Sequence, residues 1–202
     1  MPDWDADSPE LRRNLTRLLD EIARAAERRA IPTVESARSW QRRFLDGLDV
    51  LLRYVGAFRG EPGLENIQVR IGDAYGTPPA NVAEQLKRFE EVLQTIVAEL
   101  DKHLLIGNEL NADELAAVID LCAWTHAEWV RIHPLANGNG RTARVWANFL
   151  AMRYGLPPFV RLRPRPDSGY EDAAAKAMRG DWEPTAVAFQ RLLNRFFEDA
   201  RN

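Results

Sequence analysis

The periodicity of the apolar residues constrains the fold of this chain more than any other feature. Leu11, Leu15, Leu18, Leu19 and Ile22 recur at a 3.6-residue spacing, the pattern of a helix with one buried face. Ser8 stands where an N-cap is wanted, and Pro9 suits the first helical position. Arg28 to Pro32 ends this helix. A second starts at Thr33 and Glu35 and runs through Trp40, Phe44 and Leu48 to Tyr54. The same spacing predicts helices over Asn81 to His103, Ala112 to Arg131 and Asn139 to Tyr154. Two more are expected near 169–179 and 183–199, parted by Gly180-Asp181. Residues 55–80 break the pattern, because Gly56, Gly60, Pro62, Gly63, Gly72, Gly76, Pro78 and Pro79 interrupt any helix. Within them Ile67-Gln68-Val69-Arg70-Ile71 alternates apolar and polar and then meets Gly72-Asp73, which reads as one strand of a hairpin returning through Ala74-Tyr75. The expected fold class is mainly α with one small β-hairpin. The expected organisation is a helical N-terminal extension over 1–32 joined to a main domain over 33–202, the whole forming one compact unit.

Composition excludes several classes of function. With 46% hydrophobic and 28% charged residues, the chain can bury a real core and is not disordered. A formal net charge of −3 gives no reason to expect a nucleic acid or a membrane surface as partner. The single cysteine, Cys122, rules out an internal disulfide and a Cys-rich zinc site. Nothing approaches eighteen consecutive apolar residues, and the start Met1-Pro2-Asp3-Trp4-Asp5 is acidic rather than signal-like. A cytoplasmic protein is expected.

The chemistry concentrates in Arg131-Ile132-His133-Pro134-Leu135-Ala136-Asn137-Gly138-Asn139-Gly140-Arg141-Thr142-Ala143-Arg144, between two helices. Gly138-Asn139-Gly140 permits backbone conformations that turn several N–H groups toward one point, an anion-binding nest. The helix beginning there adds its positive dipole end and unpaired amides. Arg141 and Arg144, three residues apart, project from one side of the first turn, and their guanidinium forks match phosphate oxygens. The charge pattern agrees. Arginines 131, 141, 144, 153, 161, 163 and 165 lie between Arg131 and Pro166, with no Asp or Glu among them. His133 precedes the nest, where a side chain titrating near neutrality would serve as a general base. The other reading is a histidine that merely caps the preceding helix, and the glycine nest favours the base. His103 and His126 read as ordinary helical histidines, and Cys122, Trp124 and Trp129 as core. Arg161 to Arg165 alternates like an edge segment and reads as solvated surface.

At these residues the chain resembles the Fic (filamentation induced by cAMP) family, whose motif runs His-x-Phe-x-Asp/Glu-Gly-Asn-Gly-Arg-x-x-Arg. The segment from Gly56-Ala57-Phe58-Arg59 through Val69-Arg70-Ile71-Gly72 to Pro78-Pro79 is similar to the family's approach to its flap hairpin. Tyr170, Gly180-Asp181 and Pro184 resemble the helix pair closing its nucleotide pocket. The resemblance covers roughly residues 35 to 200. It implies a Fic-type helical domain that transfers AMP from ATP to a Tyr, Ser or Thr hydroxyl of a target protein. His133 would then be the catalytic base. Gly138, Asn139 and Gly140 would hold the phosphates, with Arg141 and Arg144 on the β- and γ-phosphates. Tyr170 would either stack on the base or pack in the core. The hairpin, at Val69, Arg70 and Ile71, would bind a target segment by strand addition.

Two positions depart from the family motif. Leu135 replaces Phe, and Asn137 stands where the family has Asp or Glu as a magnesium ligand. An Asn carbonyl can still ligate Mg²⁺ but brings no charge, so weaker metal binding, slower transfer or a different donor such as UTP is expected. The further alternative is a Fic-fold module that binds nucleotide or protein without turnover. The family's self-inhibiting Ser/Thr-x-x-x-Glu-Gly/Asn helix has only near misses here, such as Thr16 to Glu21. Either an antitoxin-like partner restrains a toxin-like enzyme in trans, or the weakened chemistry needs no restraint.

Overall fold

The computed structural model describes residues 8–105, 107–166 and 169–201; the acidic start Met1 to Asp5 lies outside them. Its elements run α1 (Pro9–Glu27), α2 (Val34–Leu45), a short 3₁₀ turn (Leu52–Tyr54), β1 (Arg70–Ile71), β2 (Ala74–Tyr75), α3 (Pro79–His103), α4 (Ala112–Ile132), α5 (Asn139–Arg153), α6 (Tyr170–Ala177) and α7 (Glu183–Asp199). The fold is mainly α with one small antiparallel hairpin, as the periodicity predicts.

Capping chemistry sets the helix starts. Ser8 Oγ accepts from Leu11 N, Thr33 from Ser36 N, and Asn111 forms a full capping box with Glu114. Each satisfies amides that the first helical turn leaves without partners. Two predicted elements are shorter than expected. The second helix stops at Leu45 instead of reaching Tyr54, since Gly47 takes φ 70° and turns the chain. The strand predicted over 67–71 pairs only at Arg70↔Tyr75 and Ile71↔Ala74. Upstream, the Ile67 and Val69 carbonyls accept from the Arg59 side chain and from Gly76 N.

α5 is the centre of the molecule. All of its residues but Gly140 and Met152 are buried, with α1, α2 and α4 packed around it and α7 against α4. Aromatic side chains from four helices meet here. Trp40 and Trp146 have ring centroids 4.6 Å apart, and Phe89 sits 5.6 Å from Trp129 and 5.8 Å from Trp146. Edge-to-face geometry of this kind adds to their area burial. The apolar face of α1 (Leu11, Leu15, Leu18, Ile22) belongs to the same contiguous core.

Polar side chains buried beside these rings bind loop backbone directly. Asn148 donates to Val160 O at 2.7 Å and accepts from Val160 N at 3.0 Å. Gln41 does the same for Tyr54 O and Gly56 N. These amide side chains hold irregular loops against the helical core as a strand would, because buried backbone groups must be paired. Among the described residues no helix is long and apolar enough to cross a membrane.

Candidate active site

The turn from α4 into α5, residues 133–138, builds the site. His133 caps α4 in the left-handed region, φ 53° and ψ 54°. That conformation costs an L-residue roughly 1–2 kcal/mol, so its surroundings must enforce it. Arg59 supplies much of that enforcement. Its side chain is 1% exposed, and its Nε donates to His133 O at 2.7 Å and its Nη2 to Ile132 O at 3.0 Å. Its backbone N–H reaches Pro134 O at 2.7 Å. The last carbonyls of a helix have no intrahelical donors and sit at its negative end, where a cation is favoured. Burial lowers the Arg59 pKa to about 10, which leaves it charged at neutral pH.

The His133 imidazole is itself buried, with Nδ1 3.1 Å from Val130 O. A carbonyl can only accept, so Nδ1 carries the proton and Nε2 keeps its lone pair. Burial drives the pKa down to about 4; the Val130 hydrogen bond opposes this and the Arg59 charge adds to it. His133 is therefore a neutral imidazole with a basic nitrogen at any ordinary pH.

Asn139 shapes the turn that follows. Its Oδ1 accepts from Leu135 N at 2.9 Å and its Nδ2 donates to Leu135 O at 2.7 Å, while Phe58 forms an antiparallel bridge with Leu135. The side chain of Asn139 is thus engaged by the turn, and what this residue offers a ligand is its backbone. Gly138 caps α5 at φ 91°. A Cβ there would lie 2.9 Å from Phe44 Cζ, so both backbone conformation and space call for glycine.

The two motif arginines diverge. Arg141 is 2% exposed and lays its guanidinium 4.6 Å over the Phe44 ring. Arg144 donates to Leu162 O at 2.9 Å and to the Tyr170 hydroxyl at 3.3 Å. That hydroxyl is 2.8 Å from His126 Nε2. Because an arginine only donates, the Tyr170 oxygen accepts from Arg144 and can pass its own proton to His126. His126 stays neutral, its pKa lowered to about 3 by burial first and the Arg144 charge second. Tyr170 is held at both ends, its ring edge-on to His126 at 5.4 Å, and it lines the cleft while packing in the core.

His133, Asn137, Gly138, Asn139, Gly140, Arg141, Arg144 and Tyr170 share one cleft of about 440 Å³ with Ile71 of the hairpin. Val69 and Arg70 are not part of its wall. Arg70 folds back onto Gly72 O at 2.7 Å and over Tyr75 within the hairpin. The cleft also receives Arg165 and Glu171, an exposed ion pair at 3.3 Å, and Met178. Neither Phe44 as a shelf for Arg141 nor His126 as a partner of Tyr170 is readable in the sequence, since no spacing rule relates α2 to α5 or α4 to α6.

For a divalent cation the cleft offers little charge. Asn137 contributes a neutral amide oxygen, and Glu171, the one carboxylate on the described wall, is largely exposed and paired with Arg165. Mg²⁺ takes oxygen ligands, keeps waters and commonly arrives on substrate phosphates. This donor set suits an ion delivered by a polyphosphate better than one held by the protein alone.

Comparison with known proteins agrees with this architecture. Residues 32–151 match the model of the Fic/DOC family. Over 119 residues, 58% of this chain, the sequence is 32% identical to "Protein adenylyltransferase Fic" of Nematostella vectensis, and the match covers 24% of that protein. The Drosophila erecta protein of the same name is 32% identical over 117 residues, with 20% of its length covered. The chain thus spans a quarter or less of these relatives. A Fic domain containing signaling protein from Bacteroides thetaiotaomicron superposes with a TM-score of 0.64 at 23% identity, covering 92% of this chain and 69% of that one. BepC, an effector protein of Bartonella tribocorum crystallised with bound AMPPNP, gives 0.59 at 18% identity over 92% and 87% of the two chains. At these identities the structural likeness speaks for the fold, and the sequence match, extending over more than half of the chain and through the whole turn from His133 to Arg144, speaks for descent: the chain belongs to the Fic/DOC family.

Proposed function

We propose that this chain is a protein nucleotidyltransferase that moves AMP from ATP to a Tyr, Ser or Thr hydroxyl of a target protein. The observation that carries the reading is the pairing, on one cleft wall, of a neutral His133 whose Nε2 is unprotonated with the N-terminus of α5 and its two arginines. The relatives named adenylyltransferase and the AMPPNP-bound neighbour support ATP as donor.

In this reading the triphosphate lies along the Gly138-Asn139-Gly140 backbone, where helix-start amides and the dipole favour negative charge. Arg141, steadied on Phe44, and Arg144, steadied by Leu162 and Tyr170, neutralise the β- and γ-phosphates. A bound divalent ion would shield phosphate charge, with Asn137 as its protein ligand. The target hydroxyl gives its proton to His133 Nε2 as its oxygen bonds to the α-phosphorus. The bond from that phosphorus to the bridging oxygen breaks, and pyrophosphate leaves. Ile71, at the cleft edge, lets the hairpin bring a target segment alongside the base.

Labelled ATP incubated with the protein, Mg²⁺ or Mn²⁺ and a lysate should label protein, and His133→Ala should abolish labelling while the fold is retained. Labelling that survives His133→Ala would remove His133 as base. The neutral amide at Asn137 favours a second reading, a module that binds nucleotide without turnover. Calorimetry would then show ATP binding that is lost in Arg144→Ala, with no labelling by any variant. Replacing ATP by UTP, CTP or GTP in the same labelling assay identifies the donor. Restraint in trans by an antitoxin-like partner remains part of the proposal, tested by whether a co-purified protein suppresses labelling.

A further inference from the structure

Arg59 does not line the cleft, yet it is bonded to the backbone of the residue that does the chemistry. We propose that Arg59 is the positioning residue of His133: its guanidinium grips the Ile132 and His133 carbonyls, fixing the left-handed cap that aims Nε2 at the cleft, and ties that cap to the hairpin. The proposal rests on the reading of His133 as the base.

Three observations carry it. First, Nε and Nη2 bind consecutive carbonyls at 2.7 and 3.0 Å, a fork geometry that a lysine cannot reproduce. Second, the backbone here is strained at φ 53°, and such strain persists only where neighbours over-determine it. Third, the same side chain reaches the segment leading into the hairpin. Nη1 donates to Ile67 O at 3.3 Å, and Thr77 N donates to Ile132 O at 3.2 Å. At Gly76 a Cβ would fall 2.7 Å from His133 Cβ and 3.0 Å from Arg59 Nη2. Gly76 therefore lets the base of the hairpin close directly over the arginine and the histidine.

The charged groups around His133 are Arg59 behind it, Arg141 and Arg144 from α5, and Arg165 and Glu171 across the cleft. Arg141 and Arg144 are buried but turned onto Phe44, Leu162 and Tyr170, and the exposed Arg165–Glu171 pair is self-neutralising. Arg59 is sealed in, so its charge acts on the imidazole with little screening.

The test uses the full chain with Arg59→Lys and Arg59→Met. The sequence holds three histidines, so long-range ¹⁵N spectra can be assigned by single substitutions and report the tautomer and pKa of His133 directly. In Arg59→Met the Nδ1–H tautomer should give way to a mixture, and the pKa should rise as the neighbouring cation is lost. In Arg59→Lys the charge remains but the fork is gone, so the tautomer mixes while the pKa stays low. Both should lower kcat for transfer, by ~100-fold for Met, with little change in KM for ATP. A structural role alone would lower the amount of folded protein and leave tautomer, pKa and the kcat-to-KM split of the folded fraction as in the parent. That result in Arg59→Lys overturns the proposal even if Arg59→Met does not fold. If the parent transfers no nucleotide, or His133→Ala still does, the functional reading fails. The spectra then decide alone, an unchanged tautomer overturning the role of Arg59 and a mixed one supporting it.

Discussion

Replacing Gly138 by alanine tests whether the anion site is built as described. Gly138 holds φ 91°, and a Cβ would stand 2.9 and 3.1 Å from Cζ and Cε2 of Phe44. Alanine in the left-handed region costs roughly 1–2 kcal/mol. Phe44 is fully buried, so the ring cannot swing into solvent, and overpacking of this kind adds ~1–3 kcal/mol. The lost flexibility of the unfolded chain returns about 0.4–1 kcal/mol. The net is a destabilisation of about 1–4.6 kcal/mol, which for a chain of this length lowers Tm by roughly 2–18 °C. A second effect follows from the contact between Phe44 and Arg141. A displaced ring moves the shelf under the guanidinium, so ATP affinity should fall as well. Gly140→Ala is the matched control. Gly140 lies inside α5 without a positive φ, and a Cβ there would meet only Arg144 Nη1 at 3.4 Å, an ordinary to slightly tight contact, so alanine should stabilise the helix by ~0.5–1 kcal/mol. Calorimetric melting of both variants, with ATP titrations beside them, separates the effects. If Gly138→Ala melts at or above Gly140→Ala, the steric account of the turn is refuted.

Other outcomes follow from the same geometry. Asn137→Asp should strengthen Mn²⁺ or Mg²⁺ dependence and raise labelling; identical metal titrations for the two proteins would remove the missing charge as a limit on turnover. Tyr170→Phe takes the hydroxyl from between Arg144 and His126, which should cost ~1–3 kcal/mol through the buried groups left unpaired and weaken ATP binding; equal melting and equal affinity would count against the tether. Stability should fall on acidification. His126 and His133 take up protons near 6.5 when unfolded but only near 3 and 4 when folded. Below pH 6.5 the unfolded chain thus binds more protons, and the loss grows until the folded pKa values are passed. Denaturant midpoints from pH 7.5 to 4.5 should show this slope, and His126→Phe should flatten it.

The helices were legible because their signals are local. Ser8 before Pro9, Asn111 with Glu114, and the 3.6-residue recurrence of leucines all lie within one element and need no tertiary context. The helix start proposed as the anion site was legible for the same reason, since Gly138 to Arg144 is a single local segment. Where tertiary contacts decide, the sequence was silent. Nothing around Phe44 marks it as the support of Arg141 almost a hundred residues later, and the helix it sits on ends early because Gly47 turns there. Arg59 stands in the segment that resembles the approach to the flap hairpin, yet nothing in the sequence shows its guanidinium reaching the carbonyls at the end of α4. His126 looks like a helical histidine and is one, but its hydrogen bond goes to a tyrosine on α6. The Asn139 side chain could be read as a ligand group, and the structure instead ties it to Leu135.

The turn between α4 and α5 has one more consequence, for which changes this chain can absorb. Pro134 is bound through its carbonyl to Arg59, Leu135 through both backbone groups to Asn139, and Gly138 is wedged against Phe44. No slack is left between the nitrogen proposed as the base and the helix end proposed to hold phosphate. Side chains within the turn can vary, as Leu135 and Asn137 do, without altering that separation. A residue inserted there would shift the two halves of the proposed reaction past each other by a whole Cα step of about 3.8 Å, farther than a proton can be handed across. The length of this turn is thus held more tightly than its composition.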